Sequence, residues 1–375
     1  MKGASIYLDY NATAPVCPAA REAMTAALNL VGNPSSVHRA GNAARRLLDA
    51  ARDAVRSLVG LPTADIVFTS GGTEANNLSL LGLDRDLIVS DIEHGSVLEA
   101  ARLRQGTKRV GVDSQGRIDL QSLRRTLEGV RNPALLSVML ANNETGVIQP
   151  VREAVKLARD NGVLVHCDAV QGPGKIPIDM EELGVDLLSL SAHKFGGPMG
   201  VGALVIRRGT PVAPLQVGGG QEGYRRAGTQ NVPGIAGFCA AIEALSIDAE
   251  MRQRRDELEE RCRALGAVVI ADRVPRLPNT SCLSMPGVPS KTQVMAFDLS
   301  GIAVSAGAAC SSGKVETSHV LTAMGVPPEI ASTAIRVSLG PATGDHDVGA
   351  FVDTWARIND RAGRGPAGWP RPSAA

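Results

Sequence analysis

An excess of charge of either sign is missing from this chain: 39 Lys and Arg stand against 38 Asp and Glu over 375 residues, a formal net charge of +1. So even a balance gives no support to the basic footprint of a nucleic-acid binder or to a polybasic membrane surface. A cysteine framework is missing too. The six cysteines, at 17, 167, 239, 262, 282 and 310, are scattered with no Cys-x-x-Cys pair, so neither a disulfide scaffold nor a structural zinc site is expected. His166 and Cys167 are adjacent, but no second Cys/His cluster at ligand spacing accompanies them, and no metal is expected. With no secretory leader and no apolar run long enough to cross a bilayer, the expected home is a reducing cytoplasm.

What is present is a soluble, globular composition, 44% hydrophobic, in a chain longer than one core usually supports. Amphipathic stretches such as 37–58 and 151–160 alternate with apolar runs such as 66–68, 135–140 and 201–206. That alternation predicts an α/β fold, a large domain whose mostly parallel sheet is covered by helices, spanning residues 12–249. A charged helix over 251–265, then shorter strands at 267–270, 281–284 and 334–338, predicts a second, smaller α+β domain over 250–375.

The most informative stretch is Ser191-Ala192-His193-Lys194, which follows the apolar run 185–190 and precedes a Gly196-Gly197-Pro198 turn. A lysine at the end of a buried strand is poorly placed for solvation and well placed to form a Schiff base with a carbonyl cofactor such as pyridoxal phosphate. Upstream, the strand 163–165 runs into His166-Cys167-Asp168-Ala169-Val170-Gln171. Asp168 fits the carboxylate that keeps a pyridine nitrogen protonated, and it also fits a cap or turn residue. Thr69-Ser70-Gly71-Gly72-Thr73, ahead of a helix-favouring run, offers a phosphate cradle: glycines let the backbone approach and the new helix points its amides at the anion. Neither a Gly-x-Gly-x-x-Gly run nor a Walker-type sequence occurs in that stretch, which disfavours a dinucleotide or nucleoside triphosphate. Glu93-His94 ends a third apolar run, where the imidazole could stack on a flat cofactor and move protons, or simply cap a helix. Cys310 lies in a loop of small residues bounded by Gly307 and Gly313.

Taken in order, these motifs resemble the cysteine desulfurases of the class V aminotransferase group, pyridoxal-phosphate enzymes of fold type I. The likeness runs through Tyr7-Leu8-Asp9-Tyr10-Asn11-Ala12-Thr13, Gly32-Asn33-Pro34-Ser35-Ser36, the 69–77 cradle, Glu93-His94, Asn142-Asn143-Glu144-Thr145-Gly146 and His166 to Gln171. It continues through Ser191 to Lys194, the 218–222 and 226–229 segments, Leu277-Pro278-Asn279-Thr280, the Cys310 loop and Arg336-Val337-Ser338-Leu339-Gly340. Ala14, Ala306 and Ala308 depart from the hydroxyl residues common in the group.

The resemblance implies that residues 1–11 join the small domain. It implies Lys194 as the covalent anchor of the cofactor, Asp168 on the ring nitrogen, Gln171 on the ring hydroxyl and His94 stacked on the ring. Gly72, Thr73, Ser191 and His193 would hold the phosphate, with Thr229 reaching it from the neighbouring subunit of a homodimer. Asn143 would lie beside cofactor and substrate, Arg336 would fork onto the carboxylate of L-cysteine, and Cys310 would be the nucleophile that takes the sulfur as a persulfide. The acceptor would be an iron–sulfur scaffold or a thiolation protein. A glycine-flanked thiol argues against an ordinary aminotransferase; a selenocysteine lyase or another class V pyridoxal-phosphate enzyme is the alternative. Intact Lys194, Asp168, His94, Arg336 and Cys310 weigh against a non-catalytic scaffold.

Overall fold

The computed structural model describes residues 6–307 and 318–363, so the expectation for Cys310 lies outside the described residues. The chain forms two compact units, a larger one from Asn11–Asn143 and Val147–Asp248, and a smaller one from Met1–Tyr10, Glu144–Gly146 and Ala249–Ala375. After the short strand β1 (Ile6–Tyr7), seven strands follow in the larger unit: β2 (Asp65–Thr69), β3 (Asp86–Ser90), β4 (Lys108–Val110), β5 (Ala134–Ser137), β6 (Leu164–Asp168), β7 (Leu187–Ser191) and β8 (Gly202–Ile206).

Among the described residues these seven strands make one sheet in the order β2-β8-β7-β6-β5-β3-β4. Every neighbouring pair is parallel except those involving β8, which runs against both β2 and β7. Six strands therefore share one direction, and their carboxyl ends open on one edge, where ligands bind in sheets of this kind. Near-continuous burial of β5, β7 and β8 is what a sheet covered on both faces requires.

The helices show why the sequence folds this way. In helix Arg39–Leu58 the buried residues Gly41, Ala44, Leu48, Ala51 and Val55 recur at helical spacing, and His38 caps the start with its Nδ1 accepting from the Gly41 amide at 3.3 Å. Each fully buried Leu or Val in such a stripe contributes about 1.5–3 kcal/mol relative to exposure. The helix carrying Cys239 does not show such a one-sided stripe. Val232–Glu243 is buried nearly all round, because helices Pro18–Leu28 and Arg39–Leu58 pack against it as well as the core. The apolar run 135–140 also yields less strand than expected: β5 stops at Ser137, although the amides of Val138 and Leu140 still bond to His166 and Asp168 carbonyls.

In the smaller unit, β9 (Val268–Val269), β10 (Thr280–Ser284), β12 (Ser305–Ala306) and β13 (Ala334–Ser338) form an antiparallel sheet, ordered β12-β13-β10-β9, while β11 (Ile302–Ala303) pairs with β1. Its core is aromatic, with Phe297 stacked on Phe351 at 4.7 Å and Trp355 tilted against both.

Candidate active site

Several of the residues singled out from the sequence stand at the carboxyl edge of the large sheet. Ser70 to Thr73 follow β2, His94 follows β3, Asn143 lies beyond β5, Asp168 closes β6, and Ser191 closes β7 with His193 and Lys194 in the turn behind it. Lys194 Nζ donates to the carbonyls of Asn11 at 2.7 Å and Ala12 at 3.0 Å. Asn11 O also accepts from Gln171 Nε2 at 3.0 Å, and Asn11 Nδ2 donates to Asn143 O at 3.2 Å. Lys194, Gln171 and Asn143 thus share a single node, Asn11.

Asp168 is buried and accepts twice, from the Val170 amide at 3.0 Å and from Asn76 Nδ2 at 2.7 Å. The first bond is the turn cap that the sequence allowed, and the second holds the other oxygen in place. Asn76 Nδ2 also donates to Ser96 Oγ at 2.9 Å, and Ser96 Oγ lies 2.8 Å from His94 Nδ1. A hydrogen-bonded row therefore runs Asp168, Asn76, Ser96, His94 through the interior. His94 is the N-cap of helix Gly95–Arg102, its Nδ1 accepting from the Ser96 amide at 3.1 Å. An Nδ1 used as acceptor assigns the neutral ring its proton at Nε2.

The cradle is shaped by two glycines. Gly71 has φ +153, a conformation L side chains rarely adopt, and a Cβ on Gly72 would sit 2.9 Å from Val170 Cγ2 and 3.4 Å from Ser191 Cβ. Helix Gly72–Leu81 starts there with no side chain capping its first amides, which leaves a site suited to an anion. Beside it, His193 Nδ1 lies 3.2 Å from Thr13 Oγ1, and burial, with the Lys194 charge second, lowers its pKa to about 4. It is neutral at pH 7. Thr229 lines a cavity of about 140 Å³ together with Phe68, Thr69, Ser70, Glu222 and Arg226 of the same unit. The segment before Thr229 is strained at Glu222, φ +49, and is held by that buried carboxylate, which accepts from Arg52 Nη2, the Phe68 amide and Gln230 Nε2 at 2.8–2.9 Å.

His166 is fully buried, with Ser137 Oγ at 2.9 Å from Nδ1 and Ser189 Oγ at 2.9 Å from Nε2. Burial lowers its pKa to about 4, the nearby Asp168 charge acting the other way. An unfolded histidine titrates near 6.5, so between pH 6.5 and 4 only the unfolded chain takes up this proton, and acid removes stability, by about 3 kcal/mol at most. The urea midpoint is therefore expected to fall across that window in the parent and to fall less in His166→Gln. Equal slopes would show that this imidazole does not carry the acid sensitivity.

In the smaller unit Arg336 sits in mid-β13, 4% exposed, with Nη2 2.7 Å from Asp9 Oδ1. It is a buried arginine, not a surface ion pair. Asn11, Asn76, Ser96, Lys175 and Asp9 were given no role from the sequence. The available signal was weak: Asn76 stands among alanine and leucine in a helix, polar and 1% exposed, with its Oδ1 unpartnered among the described residues.

Together the edge offers a lysine amine, a carboxylate held as acceptor and an anion cradle, a donor set that fits a ring nitrogen, an aldehyde and a phosphate on one molecule. The family model Aminotransferase class-V matches residues 6–351. A cysteine desulfurase from Cereibacter sphaeroides is 44% identical over 95% of this chain and 96% of its own length. The cysteine desulfurase IscS of Dictyoglomus turgidum is 41% identical over 95% of each chain. The X-ray structure of a NifS-like protein from Rickettsia africae superposes with a TM-score of 0.89 at 35% identity, covering 95% of this chain and 99% of that one. These families are pyridoxal-phosphate enzymes. With a seven-stranded sheet, a lysine at the end of β7 and a relationship extending over nearly its whole length, the chain belongs to the class V aminotransferase family and, within it, to the cysteine desulfurases.

Proposed function

We propose that this protein removes sulfur from L-cysteine with pyridoxal phosphate, giving L-alanine and a persulfide on Cys310. The observation that carries the reading is Lys194 at the end of β7, on the sheet edge that also bears Asp168 and the Gly71–Gly72 cradle. Lys194 would hold the cofactor, Asp168 its ring nitrogen and Gln171 its ring oxygen, with His94 over the ring. Gly72, Thr73, Ser191 and His193 would hold the phosphate, and Thr229 would reach that of the neighbouring subunit. When bound, the cofactor supplies an electron sink for the α-carbon.

The chain's own residues do the rest. Arg336 binds the substrate carboxylate through its planar donors, with Asn143 beside it. Lys194 removes the α-proton. Cys310, as thiolate, attacks the substrate sulfur: a sulfur–sulfur bond forms, the bond from sulfur to the β-carbon breaks, and that carbon gains a proton to become the methyl group of alanine. The β-carbon is reduced and the cysteine sulfur oxidised, so no outside redox partner is needed. An ordinary thiol with pKa about 8.5 is only a few per cent ionised at pH 7, so a proton must leave Cys310 as it attacks, and His94 is the residue assigned to proton transfer at this step.

The reading includes a homodimer. It rests on the role of Thr229, which in the family reaches the phosphate of the neighbouring subunit. The sulfur acceptor is an iron–sulfur scaffold or a thiolation protein, and the setting is the cytoplasm. Among the described residues no helix is long and apolar enough to cross a membrane. The test is to incubate holoenzyme with L-cysteine and a reductant, and in parallel with L-selenocysteine. Alanine and sulfide are expected in equal amounts from cysteine; turnover of selenocysteine alone would favour the lyase, and alanine from neither would overturn both.

A further inference from the structure

Gln171, read above as the partner of the cofactor's ring oxygen, is 5% exposed and engaged at both ends of its amide. Nε2 donates to Asn11 O at 3.0 Å, and Oε1 accepts from Lys175 Nζ at 2.6 Å. Lys175 is half-buried in a compact turn. The Gly172 amide bonds to Ala169 O at 2.9 Å, and the Lys175 and Ile176 amides both bond to Gly172 O at 3.1 Å. A Cβ at Gly172 would lie 2.8 Å from Ile178 Cδ1 and from Leu140 Cδ2, so the turn is packed against its surroundings and cannot swing aside without cost.

An amide can be placed in two orientations that differ only by exchange of oxygen and nitrogen, and its partners decide which is real. Here both partners agree. An ammonium has only protons to give, so it requires oxygen; a carbonyl has only lone pairs, so it requires nitrogen. The reversed orientation would set N–H against ammonium and oxygen against oxygen. Of the two protons on Nε2, one is directed at Asn11 O, the carbonyl that also receives Lys194 Nζ, and among the described residues the other remains for a ligand.

We propose that Lys175 is a positioning residue for the cofactor: it locks the Gln171 amide so that a donor, never an acceptor, faces the ring oxygen beside Lys194. The inference rests on the reading of Gln171 given under Proposed function. Its chemical consequence has one sign. A donor toward the ring oxygen and a positive charge behind it both favour the less protonated form of the bound chromophore, so their loss favours the protonated form. The other titratable groups on this part of the edge, Lys194, Asp168, His193 and His94, are unchanged in the variants.

The experiment is a spectrophotometric pH titration of bound pyridoxal phosphate, with its dissociation constant, in holoenzymes of the parent, Lys175→Met, Lys175→Arg, Lys175→Gln and Gln171→Leu. Lys175→Met is expected to raise the midpoint by about one unit and to weaken cofactor binding roughly tenfold, given the loss of a charge and an ion-assisted hydrogen bond. Lys175→Arg, which keeps both, should stay within about 0.3 units of the parent, and Lys175→Gln, which keeps a neutral donor, should fall between. Lys175→Gln also serves if the methionine variant does not fold. A midpoint unmoved in both Lys175→Met and Lys175→Gln while Gln171→Leu shifts it overturns the role of Lys175 and leaves that of Gln171 standing. No rescue by arginine also overturns it. No shift in Gln171→Leu removes the reading of Gln171 on which the inference rests.

Discussion

Lys194→Ala is expected to abolish turnover, to below about one ten-thousandth of the parent rate, because on the proposed mechanism one substitution removes both the covalent anchor and the base for the α-proton. Borohydride reduction of the parent followed by peptide mapping should place the pyridoxyl group on residue 194. Lys175 is the rival nearest in the chain, and its ammonium is already given to Gln171 Oε1 at 2.6 Å. Lys194, by contrast, donates to two backbone carbonyls, those of Asn11 and Ala12. Label on residue 175, or substantial turnover by Lys194→Ala, would refute the assignment.

Cys310→Ala should leave cofactor binding and the spectral response to cysteine intact while alanine formation falls by about three orders of magnitude and no persulfide forms, since on the proposed mechanism only the attacking thiolate is gone. The other five cysteines are poor substitutes. Burial pushes Cys239 up to about 11 and Cys262 and Cys282 up to about 12, and raises Cys167 well above its ordinary value. Thiols so shifted are almost wholly protonated at neutral pH, and protonated thiols do not attack. Cys17 is half-exposed, but its Sγ faces the opening of helix Pro18–Leu28, accepting from the Ala20 amide at 3.4 Å. Mass spectrometry after one turnover of the parent should find the added sulfur on residue 310; finding it on residue 17 would count against the mechanism.

The elements that carry the site were legible because their signals are local. Apolar strands punctuated by glycine mark where β2, β6 and β7 end, and Thr69 to Thr73, Asp168 and Lys194 stand at those ends in the sequence itself. The helix around Cys239 was less legible, since alanine and glycine permit burial on every side and only the two helices that cover it determine that it is buried. His94 shows the middle case. Its place after β3 could be read, whereas its service as a cap with Nδ1, and hence the location of its proton, depends on the fold around Ser96 and Asn76.

By itself the sequence determined the α/β class, the order of the motifs and the residue types that bear the chemistry, because strand pattern, turn residues and reactive side chains are properties of short stretches. Only the tertiary structure decided what each of those side chains touches. Asn76 meets Asp168 across 92 residues, Lys194 meets Asn11 across 183, and Arg336 meets Asp9 across 327. At such separations no periodicity links the partners. The contacts exist because parallel crossovers bring the ends of distant strands to one edge in the larger unit, and because residues 6–10 return to lie against β13 in the smaller one, where a buried guanidinium must find a carboxylate.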